Sequence, residues 1–175
     1  MGDVCVSGTL NICSCTELPD TCEYYTLSSN YNLGVLAVAD GSTAEQANVF
    51  NRAAGEIGDG WSFARSDSNV PTYEIVNRNS DLVMWVSNNG NSNWNTILQH
   101  TADSANADYD NWCFYQPDGE DYYYIINEGS KLAISVAHTT DVVQYSWNRG
   151  TNQQFDLACW DPEPPKYDVT VLMEP

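Results

Sequence analysis

Basic residues are scarce in this 175-residue chain: 6 Lys and Arg stand against 24 Asp and Glu, for a formal net charge of −18. That scarcity argues against nucleic acid as a partner, because phosphate binding needs clustered cations. It argues against an anionic membrane surface for the same reason. Long apolar runs are missing too. With nothing near the roughly 18 apolar residues that a spanning helix needs, no membrane span is predicted. Helical periodicity is nearly absent; only Ser42–Arg52, with Ala44, Ala47 and Phe50, has a spacing that suits one helical turn.

Catalytic signatures are also lacking: there is no His-Glu-x-x-His, no Gly-x-Ser-x-Gly and no phosphate-cradling glycine loop. The carboxylate clusters Asp108/Asp110 and Asp118-Gly119-Glu120-Asp121 sit where solvated turn residues belong. A glycosidase pair or a calcium site is the alternative reading of those clusters. Paired C-x2-C motifs are absent, and only His100 and His138 are available to assist a zinc site. The expectation is a protein that is not an enzyme and uses no cofactor and no metal.

What the chain does have is cysteine and aromatic residues. Six Trp and 11 Tyr exclude a disordered chain. Cys5, Cys13, Cys15, Cys22, Cys113 and Cys159 are even in number, and four of them crowd the N-terminal end. This predicts a disulfide framework and an oxidising, extracellular compartment, with the pairing open. Met1-Gly2-Asp3 does not open a secretory leader, so secretion implies that a leader has been removed. The acidic charge reads as a solubilising surface.

Three segments register without a gap. Tyr25-x-Leu27-x-Ser29, Tyr73-x-Ile75-x-Asn77 and Tyr123-x-Ile125-x-Asn127 open the units. Leu36/Val38, Met84/Val86 and Ile134/Val136 follow at a constant offset. Alternation with period two marks strands with one buried face, and the polar steps between paired strands mark tight turns. A third short strand comes next in each unit: Val49-Phe50-Asn51, Ile97-Leu98-Gln99 and Val142-Val143-Gln144. Each unit closes on an aromatic strand: Trp61-Ser62-Phe63, Trp112-Cys113-Phe114 and Phe155-Asp156-Leu157. Such repetition points to a pseudo-symmetric all-β barrel, which hides the edges of many short strands.

This repeat, with Thr151-Asn152-Gln153-Gln154-Phe155 in place of a Gln-x-Trp box, resembles that of the ricin-type β-trefoil lectins. Asp59-Gly60-Trp61 and Asp110-Asn111-Trp112 are weaker versions of the box. The resemblance implies an all-β trefoil of three four-strand repeats at about 23–68, 71–117 and 121–160. These lie within a domain at 23–163, between a Cys-rich extension (1–22) and a strand-like tail (164–175). It also implies one sugar site per repeat, made of an Asp, a Gln, an aromatic platform and an Asn. The Asp position holds Ala37, Trp85 and Ser135, and the Gln position holds Asn51, Gln99 and Gln144. The platform position holds Ala53, Thr101 and Ser146, the last followed by Trp147. The Asn position holds Gly58, Tyr109 and Asn152.

Weak carbohydrate binding through Ser135, Gln144, Trp147 and Asn152 in the third repeat is therefore expected, with Trp85, Trp94 and Gln99 as secondary candidates. Gln153, Trp61 and Trp112 read as structural. The alternatives are a protease-inhibitor or toxin module, or an extracellular assembly built by the terminal strands Val4–Val6, Leu10–Ile12 and Tyr167–Val171. Against that assembly stands packing of both ends on their own barrel, tied through Cys113 or Cys159. Cys113, between inward Trp112 and Phe114, is expected to face outward and be reachable.

Overall fold

The computed structural model describes residues 15–160 apart from 56, 67–69, 104, 106 and 139. Twelve strands form one antiparallel sheet: β1 (Tyr25–Ser29), β2 (Val35–Val38), β3 (Val49–Arg52), β4 (Trp61–Arg65), β5 (Thr72–Asn77), β6 (Val83–Val86), β7 (Ile97–His100), β8 (Asn111–Tyr115), β9 (Tyr124–Asn127), β10 (Ala133–Ala137), β11 (Asp141–Tyr145) and β12 (Phe155–Cys159). Six of them close a barrel. β1 pairs with β12 and β4, β5 with β4 and β8, and β9 with β8. The Tyr123–Phe155 bridge closes the ring. The remaining strands form three hairpins, β2–β3, β6–β7 and β10–β11, that cap one end and touch in pairs at Phe50–Asp141, Asn48–Leu98 and Thr96–Val143.

The threefold registration governs the core. Leu27, Ile75 and Ile125 are fully buried, as are Leu36, Met84 and Ile134. Trp61 and Trp112 donate their indole N–H to the carbonyls of Leu36 (2.8 Å) and Met84 (3.0 Å), so each box aromatic clamps its own repeat's second strand. In the third repeat Phe155 fills the volume without that bond. Backbone conformation repeats as well. Leu33, Asp81 and Lys131 share φ near 60°, and Asp40, Asn88 and His138 share φ of 52–56°. Asn77 and Asn127 fold the β5–β6 and β9–β10 turns by accepting main-chain N–H groups two residues on.

The opposite end of the barrel is filled by Tyr25, Phe63, Tyr73, Phe114 and Tyr123, whose rings touch in sequence. Residues 15–22 cross this end as a strap. Leu18 packs on the core and donates its N–H to the Tyr73 hydroxyl, while the Tyr25 hydroxyl donates to the Pro19 carbonyl. Disulfides Cys15–Cys113 and Cys22–Cys159 fix both ends of the strap. The N-terminal segment is thus tied through both barrel cysteines. Cys113 does turn away from the barrel interior, but it is only 2% exposed, which corrects its expected accessibility. Its sulfur lies in a second apolar cluster with Cys15, Tyr124, Ile126 and Ala133. Cys5 and Cys13, and the strand-like stretches at 4–6, 10–12 and 167–171, lie outside the described residues.

The helical turn expected within Ser42–Arg52 does not form. The Ser42 hydroxyl accepts the Ala44 N–H, and the Gln46 N–H goes to the Gln99 carbonyl of the next repeat. Gln46 takes a left-handed φ of 61°, and the Ala47 N–H closes only a tight turn on the Ala44 carbonyl, so no helix propagates. One α-helical turn, α1, occurs instead at Ala107–Asp110.

Candidate functional site

The third-strand amides fasten one repeat to the next. Gln99 is buried; its carboxamide accepts from Ser80 (2.7 Å) and donates to the carbonyls of Ser42 and Ala44 (both 2.9 Å) in the first repeat. Gln144 does the same one repeat later. It accepts from Ser130 (2.6 Å) and donates to the carbonyls of Gly90 (2.7 Å) and Ser92 (2.9 Å). Its main-chain carbonyl accepts the Trp94 N–H at 2.9 Å. Gln144 therefore holds the β6–β7 loop, and with it Trp94, against the third repeat. Gln153 is tied to the chain around it, accepting from the Asn148 N–H and donating to the Ser146 carbonyl.

Ser135 and Asn152 are brought together: the Asn152 amide donates to the Ser135 hydroxyl at 2.7 Å. They line a surface hollow of about 350 Å³ with Trp94, His138, Tyr145 and Asn148. Trp94 is 57% exposed. Its ring meets Tyr145 edge-on at 5.1 Å and lies nearly parallel to His138 at 6.2 Å. A left-handed backbone at Trp94, φ 73°, points the indole out of its loop. The hollow thus has an indole wall beside an amide and a hydroxyl. Trp147 is not part of its lining. Its ring packs edge-on against Tyr124 (5.2 Å) and Tyr115, under the Arg149 guanidinium, in the cluster around Cys15–Cys113.

The equivalent places in the other repeats are closed. In the second, Trp85 stacks on His100 at 4.5 Å and donates to the Asn89 side chain at 2.7 Å. His100 in turn meets the buried Asp110 carboxylate at 2.6 Å, and that carboxylate also accepts the Asp103 N–H. Burial pushes the Asp110 carboxyl above its usual range, against the pull of those hydrogen bonds. Burial also raises Glu74, with the Asp110 charge adding to it. In the first repeat Ala37 is buried, and neither Ala53 nor Gly58 offers a polar side chain.

Sequence registration missed Tyr145, His138 and Asn148. Tyr145 follows Gln144 directly, so strand alternation alone turns it to the opposite face; that signal was readable. Trp94 was named as a candidate, but its partnership with the third repeat crosses a repeat boundary that an in-repeat alignment cannot show.

No protein-family model and no curated protein matches the chain. Solved structures do. The designed 3-fold symmetric protein ThreeFoil is 25% identical with a TM-score of 0.71, over 79% of this chain and 99% of that one. An exo-β-1,3-galactanase from Clostridium thermocellum is 25% identical with a TM-score of 0.72, over 82% of this chain and 31% of the enzyme. A Polyporus squamosus lectin, solved with the human-type influenza-binding epitope Neu5Acα2-6Galβ1-4GlcNAc, is 15% identical with a TM-score of 0.69. That match covers 80% of this chain and 50% of the lectin chain.

Proposed function

From the ricin-type β-trefoil fold of this chain, we propose that it is a non-catalytic carbohydrate-binding module that holds a glycan in the hollow of the third repeat. The observation that carries this reading is the exposed indole of Trp94 beside the Asn152–Ser135 pair. An aromatic face covers the apolar C–H side of a sugar ring, while amide and hydroxyl groups bind its hydroxyls. Trp94 takes the platform role in this reading. Trp147 is structural, and Gln144 is a positioning residue that holds the Trp94 loop. Ser135 offers one neutral hydroxyl where a carboxylate would accept charge-assisted bonds of about 1.5–3 kcal/mol each, so affinity is set near the millimolar range.

A hydrolytic role has less support. Of the Asp108/Asp110 pair, Asp110 is buried against His100 and its carboxylate is already engaged. The two disulfides of the described residues support an extracellular location in this reading. Glycan-array screening followed by calorimetry tests the reading. Galactose is the first soluble probe, because the names of two of the similar structures contain it. Trp94→Ala and Asn152→Ala are expected to abolish measurable binding with the fold intact, while Trp147→Phe retains it. Binding that survives both alanine variants moves the site elsewhere; an array without any signal removes the carbohydrate reading.

A further inference from the structure

The three caps of the barrel differ in one respect. The connections between second and third strands run over 39–48 in the first repeat and 87–96 in the second. Counted from the equivalent positions Val136 and Val142, the third runs only over 137–141 and is half as long. The two long connections lie on the next repeat's third strand, where Gln46 and Trp94 donate their N–H groups to the Gln99 and Gln144 carbonyls. Where the third cap hairpin meets the first, the Asn51 N–H donates to the Thr140 carbonyl beside the Phe50–Asp141 pair, and among the described residues no loop amide takes the part that Gln46 and Trp94 play at the other two cap junctions. Beside β3 at that junction lies a second hollow of about 330 Å³, lined by Asn48, Phe50, Trp94, Thr96, His138 and Asp141.

This hollow adjoins the first. Trp94, Ala137 and His138 line both, so the near-parallel Trp94–His138 pair stands as a ridge between them. The two spaces are nearly equal in volume, and each joins an aromatic ring to polar groups: Tyr145 with Asn148 and Asn152 in one, Phe50 with Asn48 and Asp141 in the other. Two like hollows either side of a shared aromatic wall suit a ligand made of like units. We propose that the site is a two-unit groove whose ligand is a glycan of at least two linked sugars, the second unit lying over Phe50 at the junction of the third and first repeats. This rests on the reading of the first hollow as a sugar site. The second hollow is a product of the shortened β10–β11 connection.

Calorimetry with galactose, lactose and β-1,3-linked galactobiose on the full chain tests the groove. For the wild type, at least one disaccharide is expected to bind about tenfold more tightly than galactose. Phe50→Ala, which removes the second ring, and Asp141→Trp, which fills the hollow from an exposed position, are expected to erase that gain. Amide shifts at Asn48, Phe50 and Asp141 respond to the disaccharide and not to galactose. If both disaccharides bind no more tightly than galactose, or the gain persists in both variants, the groove is overturned while the first site stands. If none of the three sugars binds, the parent reading falls and the groove with it.

Discussion

Gln144 separates two accounts of the third strand, because the family resemblance places it on sugar and the structure places it on protein. Removing its carboxamide in Gln144→Ala strands the carbonyls of Gly90 and Ser92 and the hydroxyl of Ser130, all now paired within 2.6–2.9 Å. Three lost bonds at about 1 kcal/mol each amount to about 3 kcal/mol, and the void left by a fully buried side chain adds to it. For a domain of this size that corresponds to a fall in Tm of about 6–12 °C. Thermal unfolding followed by circular dichroism reads it without any ligand. Gln99→Ala is the matched control, since it breaks the equivalent set at the preceding junction. It is expected to lose as much. Asn51→Ala is expected to lose less, about 1 kcal/mol, because that amide donates only to Asn32 and its own oxygen is buried without a partner. A Gln144→Ala protein that melts within about 2 °C of wild type would refute the reasoning.

Other expectations are independent of that one. Replacing Cys15 and Cys113 by Ser opens a closure spanning 98 residues, and urea unfolding is expected to show a loss of about 4–5 kcal/mol; a loss below about 1 kcal/mol would mean that packing alone orders the strap. The carboxyls of Glu74 and Glu128 are raised from 4.5, in both cases chiefly by burial. A raised folded-state value gives stability that is full below the unfolded value and is lost as pH rises through the folded one. The Glu74→Gln/Glu128→Gln variant should therefore gain in Tm relative to wild type as pH climbs above about 4.5, and a constant difference across that range contradicts the assignment. Leu33 is 82% exposed at φ 60°. Leu33→Asn, which tolerates that backbone, is expected to stabilise by about 0.5 kcal/mol in the same melts.

Much of the fold could be read from the chain because burial in a pseudo-symmetric barrel repeats its demands at fixed intervals. Leu36, Met84 and Ile134 must fill one layer, so each is aliphatic, and Tyr25, Tyr73 and Tyr123 must line one end. The site was less legible for a physical reason. A binding hollow is built where the repeats depart from one another, and registration records only where they agree. Trp94 belongs by sequence to the second repeat and by position to the third, while the equivalent Gln46 carries no ring. Trp147, by contrast, stands apart from the hollow. It lies one residue past the platform position, beyond the end of β11 at Tyr145, and there its ring packs into the cluster around Cys15–Cys113.

The Cys22–Cys159 bond carries a consequence of a different kind. It joins the residue just ahead of the first barrel strand's hairpin to the end of the last, so residues 22–159 form a covalently closed ring. In such a ring a single peptide cleavage, at any connection between repeats, opens a circle into a line without releasing either part. The β1–β12 ladder stays tethered across the cut, and the pieces remain at high effective concentration for each other. Under a protease the barrel is thus a chain that must be cut twice before it can come apart.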